Sequence, residues 1–219
     1  MNKKEQKKSG KRIKIHKDPY GEWELFAKSM ITINPGLTVL VGCNGSGKTT
    51  IMRTISRYLR EKDVPYIEFN NLSDGGQRIA SRSIFYGDVT TAASAMCSSE
   101  GERINIALND FIRSLGRFVN RNRGMKEIWV LIDALDSGYS IDNIVEFKEF
   151  VKDTLFTDTK DQDVYVVVTC NQYEVAEGED CIDVQSCEHV KIGTYEEYRE
   201  FILETRKKKD EKIATVGEE

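Results

Sequence analysis

The chain has 219 residues, of which 39% are apolar and 31% charged, with a formal net charge of −4. That balance fits one sizeable soluble α/β domain with its own core, and it excludes a globally basic nucleic-acid binder. No run approaches the roughly 20 apolar residues of a membrane helix, and Cys43, Cys97, Cys170, Cys181 and Cys187 make no CxxC pair and no metal-ligand spacing with the two histidines, which fits free thiols in a reducing cytoplasm.

Eight of the first 17 residues are Lys or Arg, against one Glu. Residues 1–10 read as a basic disordered arm, either solvated or touching phosphates or acidic lipid headgroups. They lack an apolar h-region and do not read as a secretory signal. Residues 11–17 and 23–33 alternate like strands and are expected to form an antiparallel N-terminal edge. "LTVLVG" (37–42) reads as a buried strand, followed by a helix with Ile51, Ile55, Tyr58 and Leu59 on one face. "YIEF" (66–69) is a further strand, and residues 70–98 show little periodicity. A helix is expected over 100–119, with Ile104, Leu108, Phe111, Ile112, Leu115 and Val119 on one side. "IWVLID" (128–133) is near-continuously apolar, as expected of a strand covered on both faces, and "VYVVVT" (164–169) reads as another buried strand. Helices are expected over 141–156 and, capped by Thr194, over 194–208. The alternation predicts a mostly parallel, covered sheet in one domain over 11–208, with 209–219 as a disordered tail.

"GCNGSGKTT" fits the phosphate-loop pattern GxxxxGK[ST], with a buried strand before it and a helix after it. Its glycines let successive backbone N–H groups face phosphate oxygens, and the helix N-terminus adds positive potential. The candidate ATP-binding residues are Gly42, Asn44, Gly45, Ser46, Gly47, Lys48, Thr49 and Thr50. Lys48 is expected to reach the β- and γ-phosphates and Thr49 to ligate Mg²⁺. No guanine reader of the NKxD type follows a strand, so ATP is the expected nucleotide, with Tyr20, Trp23 and Phe26 as candidates to stack on adenine. Asp133 ends its strand at a carboxyl edge, where ligands of a parallel sheet bind, and is the second candidate metal ligand.

In their order these motifs resemble the ATP-binding cassette ATPases, above all the soluble branch of chromosome-maintenance and DNA-repair enzymes. The resemblance spans residues 30–172. "SSEGER" (98–103) looks like the family's LSGGQ signature, with Ser99, Gly101 and Glu102 at matching positions, whereas "LSDGGQ" (72–77) carries an inserted Asp and opens no periodic helix. "LIDALDSGYS" is similar to the Walker B strand and D-loop, and "VVVTCNQYE" lies where the family has its switch strand. The resemblance implies a P-loop NTPase with a reduced helical subdomain, Gln77 as the glutamine near Mg²⁺ and water, and a composite site in which two chains sandwich two ATP molecules as a homodimer.

Three departures stand out. Ala134 replaces the usual catalytic Glu, Asn171 lies where a switch His is usual, and Ser140 replaces the D-loop Asp. They leave open slow hydrolysis carried by Lys48, Asp133, Gln77 and Asn171 with help from Asp136, a non-hydrolysing ATP-gated module that recruits an effector, or an engineered Glu→Ala change. Only residues 78–98 separate Gln77 from Ser99, which is short for the subdomain with which transporter subunits grip a membrane partner. The expected function is therefore a weak, cytoplasmic ATPase using ATP and Mg²⁺ in DNA maintenance, recombination or phage–host conflict. Arg117, Arg121, Arg123 and Lys126 read either as a solvated loop or as phosphate contacts to a nucleic acid.

Overall fold

Three stretches that are apolar at nearly every position, Gly36–Val41 (β3), Glu127–Asp133 (β5) and Asp163–Thr169 (β6), form the centre of a six-stranded sheet. Tyr66–Asn70 (β4), Asp180–Asp183 (β7) and Glu188–Val190 (β8) complete it in the order β4-β5-β6-β3-β7-β8. All pairs are parallel except the β7–β8 hairpin. The computed structural model describes residues 10–15, 26–70, 88–97, 100–136, 140–159 and 161–216.

Strand side chains alternate between faces, and here both alternating sets are apolar. Leu40, Trp129, Leu131, Tyr165, Val167 and Ile182 face one layer. That layer contains Ile51, Ile55 and Leu59 of the helix Lys48–Glu61 (α1) and Ile13, Ile31 and Ile33. Val39, Val41, Val130, Ile132, Val166 and Val168 face the other layer. It contains Phe111, Leu115 and Val119 of the helix that follows the short helix Val89–Cys97 (α2), namely Glu100–Arg121 (α3). Ile144 and Phe147 of Ile141–Glu149 (α4) extend it. Full burial of each such side chain is worth about 1.5–3 kcal/mol, so the double covering accounts for the near-absence of polar residues in β3, β5 and β6. Trp129 and Tyr165, cross-strand partners, stack with ring centroids 4.1 Å apart.

The sequence expectation of an antiparallel N-terminal edge needs correction. Lys11–Lys14 (β1) and Met30–Ile33 (β2) pair antiparallel in a two-stranded sheet of their own. Their isoleucines point into the α1 layer, and a separate ribbon buries them without lengthening the main sheet. The antiparallel edge of the main sheet is the β7–β8 hairpin, to which the sequence reading gave no strand. The helix expected over 141–156 continues past α4 as a π-helical stretch, Phe150–Leu155, and a last turn, Phe156–Asp158 (α5). A short helix, Tyr173–Ala176 (α6), follows β6.

The terminal helix Tyr195–Val216 (α7) runs past the expected stop at 208. Thr194 caps it, its Oγ1 accepting from the Glu197 N–H at 3.2 Å. Its second half is polar and is supported by i,i+4 pairs, Glu204–Lys208 (2.7 Å), Arg206–Asp210 (3.7 Å) and Lys207–Glu211 (3.9 Å). No described helix is long and apolar enough to cross a membrane, and all five cysteines are free.

Phe111 ties α3 to the sheet by stacking on Phe69 of β4 at 4.8 Å. Phe111→Ala is expected to lower the unfolding free energy by about 3–5 kcal/mol in a urea titration. A loss below about 1 kcal/mol would show that α3 is seated on another face.

Candidate functional site

Because β3, β4, β5 and β6 are parallel, their carboxyl ends deliver Gly42, Asn70, Asp133 and Thr169 to one edge. Asn70 is in register with Asp133, and Leu40 with Thr169. β6 lies between β3 and β5. The strand carrying the phosphate loop is thus two strand spacings, about 10 Å, from the strand carrying Asp133. The first turn of α1 bridges the gap and brings Thr49 Oγ1 to 3.5 Å from Asp133 Oδ1.

The loop itself has no room for side chains at two of its glycines. Gly42 has φ +149°, and a Cβ there would lie 2.7 Å from Ser46 Oγ. Gly47 has φ +103°, and a Cβ would meet the Phe26 ring at 2.8 Å. Phe26 therefore packs on the phosphate loop; Tyr20 and Trp23, the other two aromatic candidates, lie outside the described residues. α1 begins with no side-chain cap and no acidic residue in its first turn, so its N-terminal N–H groups and dipole are free to face an anion. Ser46 Oγ is buried without a hydrogen-bond partner, while Asn44, Gly45 and Thr49 are exposed and Thr50 is half-buried.

Lys48 lies across the loop. Its Nζ donates to the carbonyls of Gly42 (2.6 Å) and Cys43 (3.0 Å) and to Asn171 Oδ1 (2.9 Å). Burial lowers the pKa of its ammonium, against the opposing pull of Cys43, Asp136, Cys170 and Asp133. Asp133 is 5% exposed. Its Oδ1 accepts from Thr169 Oγ1 at 2.5 Å and its Oδ2 from Asn70 Nδ2 at 3.2 Å. Burial and then the Asp136 carboxylate push the Cys170 thiol up to about 12, which keeps it neutral beside the site.

Ala134 adopts φ 56°, in the left-handed region, and its N–H donates to Thr169 Oγ1 at 2.8 Å. The chain therefore turns sharply directly after Asp133. The nearest acid along the turn is Asp136, whose Oδ2 accepts from the Asn171 backbone N–H at 3.0 Å and from Asn171 Nδ2 at 3.1 Å. Asn171 thus joins Asp136 to Lys48.

The structure brings Lys48, Thr49, Asp133 and Asn171 together with the loop. Gln77 and Ser99 lie outside the described residues; Gly101 and Glu102 stand in the first turn of α3. Sequence reasoning missed Asn70, Thr205 and Lys209. Asn70 carries a legible signal, as the polar last residue of a strand whose neighbour ends in Asp133. Thr205 and Lys209 carry none: they reach the loop from α7, where Thr205 Oγ1 accepts from the Cys43 N–H at 3.2 Å and Lys209 Nζ donates to the Asn44 carbonyl at 3.0 Å.

Thr49 Oγ1 and Asp133 Oδ1 are hard oxygen donors suited to Mg²⁺, which takes one or two protein oxygens beside waters and phosphates. With the loop glycines, the uncapped α1 terminus and the unpartnered Ser46 hydroxyl, the residues fit a Mg²⁺-bound polyphosphate.

No protein-family model matches the sequence, and no curated protein matches it. Among solved structures, Drosophila ORC bound to GC-rich DNA and Cdc6, and Drosophila ORC bound to poly(dA/dT) DNA and Cdc6, are each similar at 10% identity and a TM-score of 0.31. Each alignment covers 63% of this chain and 21% of the other. A likeness of that size carries no argument about this protein.

The left-handed turn yields a stability test. Ala134→Gly removes the Cβ that disfavours φ 56° and is expected to raise the unfolding free energy by about 1 kcal/mol. A decrease would show that the alanine methyl makes packing contacts worth more than the strain.

Proposed function

We propose that this chain binds Mg-ATP at the carboxyl edge of its sheet and hydrolyses it slowly, as an ATPase of the ATP-binding cassette type whose closed state is a homodimer. The observation that carries the reading is the approach of Thr49 to Asp133, 3.5 Å apart across two strand spacings, beside a loop that leaves no room for side chains at Gly42 and Gly47. The loop N–H groups and Lys48 hold the phosphates, and Lys48 exchanges its contacts with the Gly42 and Cys43 carbonyls for phosphate oxygens. Thr49 and Asp133 hold Mg²⁺, which when bound neutralises charge on the β- and γ-phosphates. Asn171, hydrogen-bonded to both Lys48 and Asp136, orients water or a phosphate oxygen, and Asp136 supplies a carboxylate beside it. Gln77 is the second candidate for the water.

Dimerisation rests on the helix start at Glu100. Gly101 and Glu102 stand in its first turn, and a helix N-terminus suits the γ-phosphate held by another copy. The soluble, cytoplasmic setting and the role in DNA maintenance, recombination or phage–host conflict belong to the same reading, and that role requires a nucleic-acid surface away from the nucleotide.

The second reading, a non-hydrolysing ATP-gated module that recruits an effector, is favoured by Ala134, whose methyl group neither accepts a proton nor orients water. A transporter subunit is the weakest of the three.

Light scattering with Mg-ATP is expected to show a monomer-to-dimer shift that Lys48→Ala abolishes; a wild-type chain that stays monomeric at saturating ATP sinks the composite site. Ala134→Glu is expected to raise turnover by about 10²-fold or more. Unchanged turnover with ATP binding intact would place the attacking water elsewhere and favour the gated module.

A further inference from the structure

α3 turns its apolar side to the core through Phe111, Leu115 and Val119, spaced by four. Two residues on from each stands an arginine: Arg113, Arg117 and Arg121. A two-residue step on an α-helix is about 200°, so these three share the side opposite the core. All three are exposed, and they follow one another about 6 Å apart along the axis. The loop after the helix adds exposed Arg123 and Lys126. No Asp or Glu occurs between Asp110 and Glu127, and among the described residues none of the five cations forms an ion pair. In a chain with net charge −4, this is a segregated positive face.

The surface is also braced. Gln162, 9% exposed, donates through Nε2 to the carbonyls of Asn122 (2.7 Å) and Met125 (2.8 Å), and the Asp163 N–H donates to the Lys126 carbonyl at 2.9 Å. These bonds fix the path of the loop that carries Arg123 and Lys126. Arg117 is steadied by a 3.0 Å bond from Nη2 to Ser114 Oγ. Asp161 and Asp163 flank Gln162 in sequence, so the positive face is centred on the outer side of α3 rather than on the loop rim. Lys11, at the start of β1, pairs with Glu127 next to Lys126.

We infer that the outer face of α3 with the 122–126 loop is a binding surface for the phosphate backbone of a nucleic acid, running towards the end of the sheet opposite the nucleotide site. β5 begins at Glu127 and ends at Asp133, so the loop and the ATP site are separated by its full length. The spacing of the arginines suits consecutive backbone phosphates, and nothing in the set reads bases, so the binding is sequence-independent. A lipid surface is the poorer match. A membrane-lying helix buries an apolar side, whereas that side of α3 already faces the core, and Met125 is the only exposed large hydrophobic in the segment. The inference does not depend on ATP.

The test is fluorescence anisotropy with labelled duplex DNA, single-stranded DNA and duplex RNA over a salt series, using wild type and the triple variant Arg113→Gln, Arg117→Gln, Arg121→Gln. The variant is expected to keep its thermal unfolding profile, bind at least tenfold more weakly at low salt, and show a log–log salt slope on duplex DNA reduced by about 3. A second variant, Arg206→Gln, Lys207→Gln, Lys208→Gln, removes equal charge from α7 and is expected to bind like wild type. Lys48→Ala is also expected to bind like wild type, which separates this surface from the ATP reading. Equal losses in the α3 and α7 variants, or no binding of any of the three nucleic acids at low salt, would overturn the inference. Binding to phosphatidylserine vesicles without nucleic-acid binding would overturn it in favour of a membrane contact.

Discussion

The site depends on a buried carboxylate. Asp133 ends a strand that is apolar on both faces, and removing an ionised carboxylate from water is costly unless it is hydrogen-bonded. Here Thr169 and Asn70 supply two neutral donors from the neighbouring strands, and the Thr49 hydroxyl approaches from α1. All three are available because the strands run in one direction and end together. With an antiparallel neighbour in place of β4 or β6, the end of β5 would face a strand start, and one of these donors would be at the far end of the sheet. The parallel order is thus a condition of the chemistry as well as of the core.

The same hydroxyl that binds Asp133 sets the turn after it. Thr169 Oγ1 donates to the carboxylate and accepts from the Ala134 N–H, and Leu135 N–H bonds the Thr169 carbonyl at 3.1 Å. β5 and β6 are thereby stitched together beyond their last paired residues, and the left-handed residue is held where the chain leaves the sheet. The Ala134 position accordingly carries backbone strain that the Thr169 bonds sustain. Asp136, two residues on, is held by Asn171, which also contacts Lys48. The charge relation between loop and strand end therefore passes through an uncharged amide.

How much of this was legible in sequence follows from the size of each signal. β3, β5 and β6 announce themselves as apolar runs, α1 and α3 as 3.6-residue stripes, and the phosphate loop by fixed spacing; each is dictated by contacts within the segment or by a single buried face. β7 and β8 are four and three residues long and include Asp180, Asp183, Glu188 and His189, so no alternation marks them; what makes them strands is β3 beside β7. The polar half of α7 has no apolar stripe either, and its i,i+4 pairs stabilise a helix that hydrophobic periodicity alone would end. The α7 contacts with the phosphate loop join residues more than 160 apart in sequence, which no local pattern encodes. Gln77 and Ser99 fall outside the described residues.

These unannounced contacts bear on the loop. A phosphate loop that directs its N–H groups at an anion must have its remaining polar groups satisfied from behind, or it will collapse onto itself. Thr205 accepts the Cys43 N–H and donates its own hydroxyl to the Ile202 carbonyl, Gln185 binds the Thr205 carbonyl, and Lys209 takes the Asn44 carbonyl. The back of the loop is therefore closed by α7 and the β7–β8 turn, while its front is held by Lys48. The terminal helix, expected to stop at 208, is in this sense part of the site: through Thr205 and, beyond that stop, Lys209 it supports the loop geometry that Gly42 and Gly47 make possible.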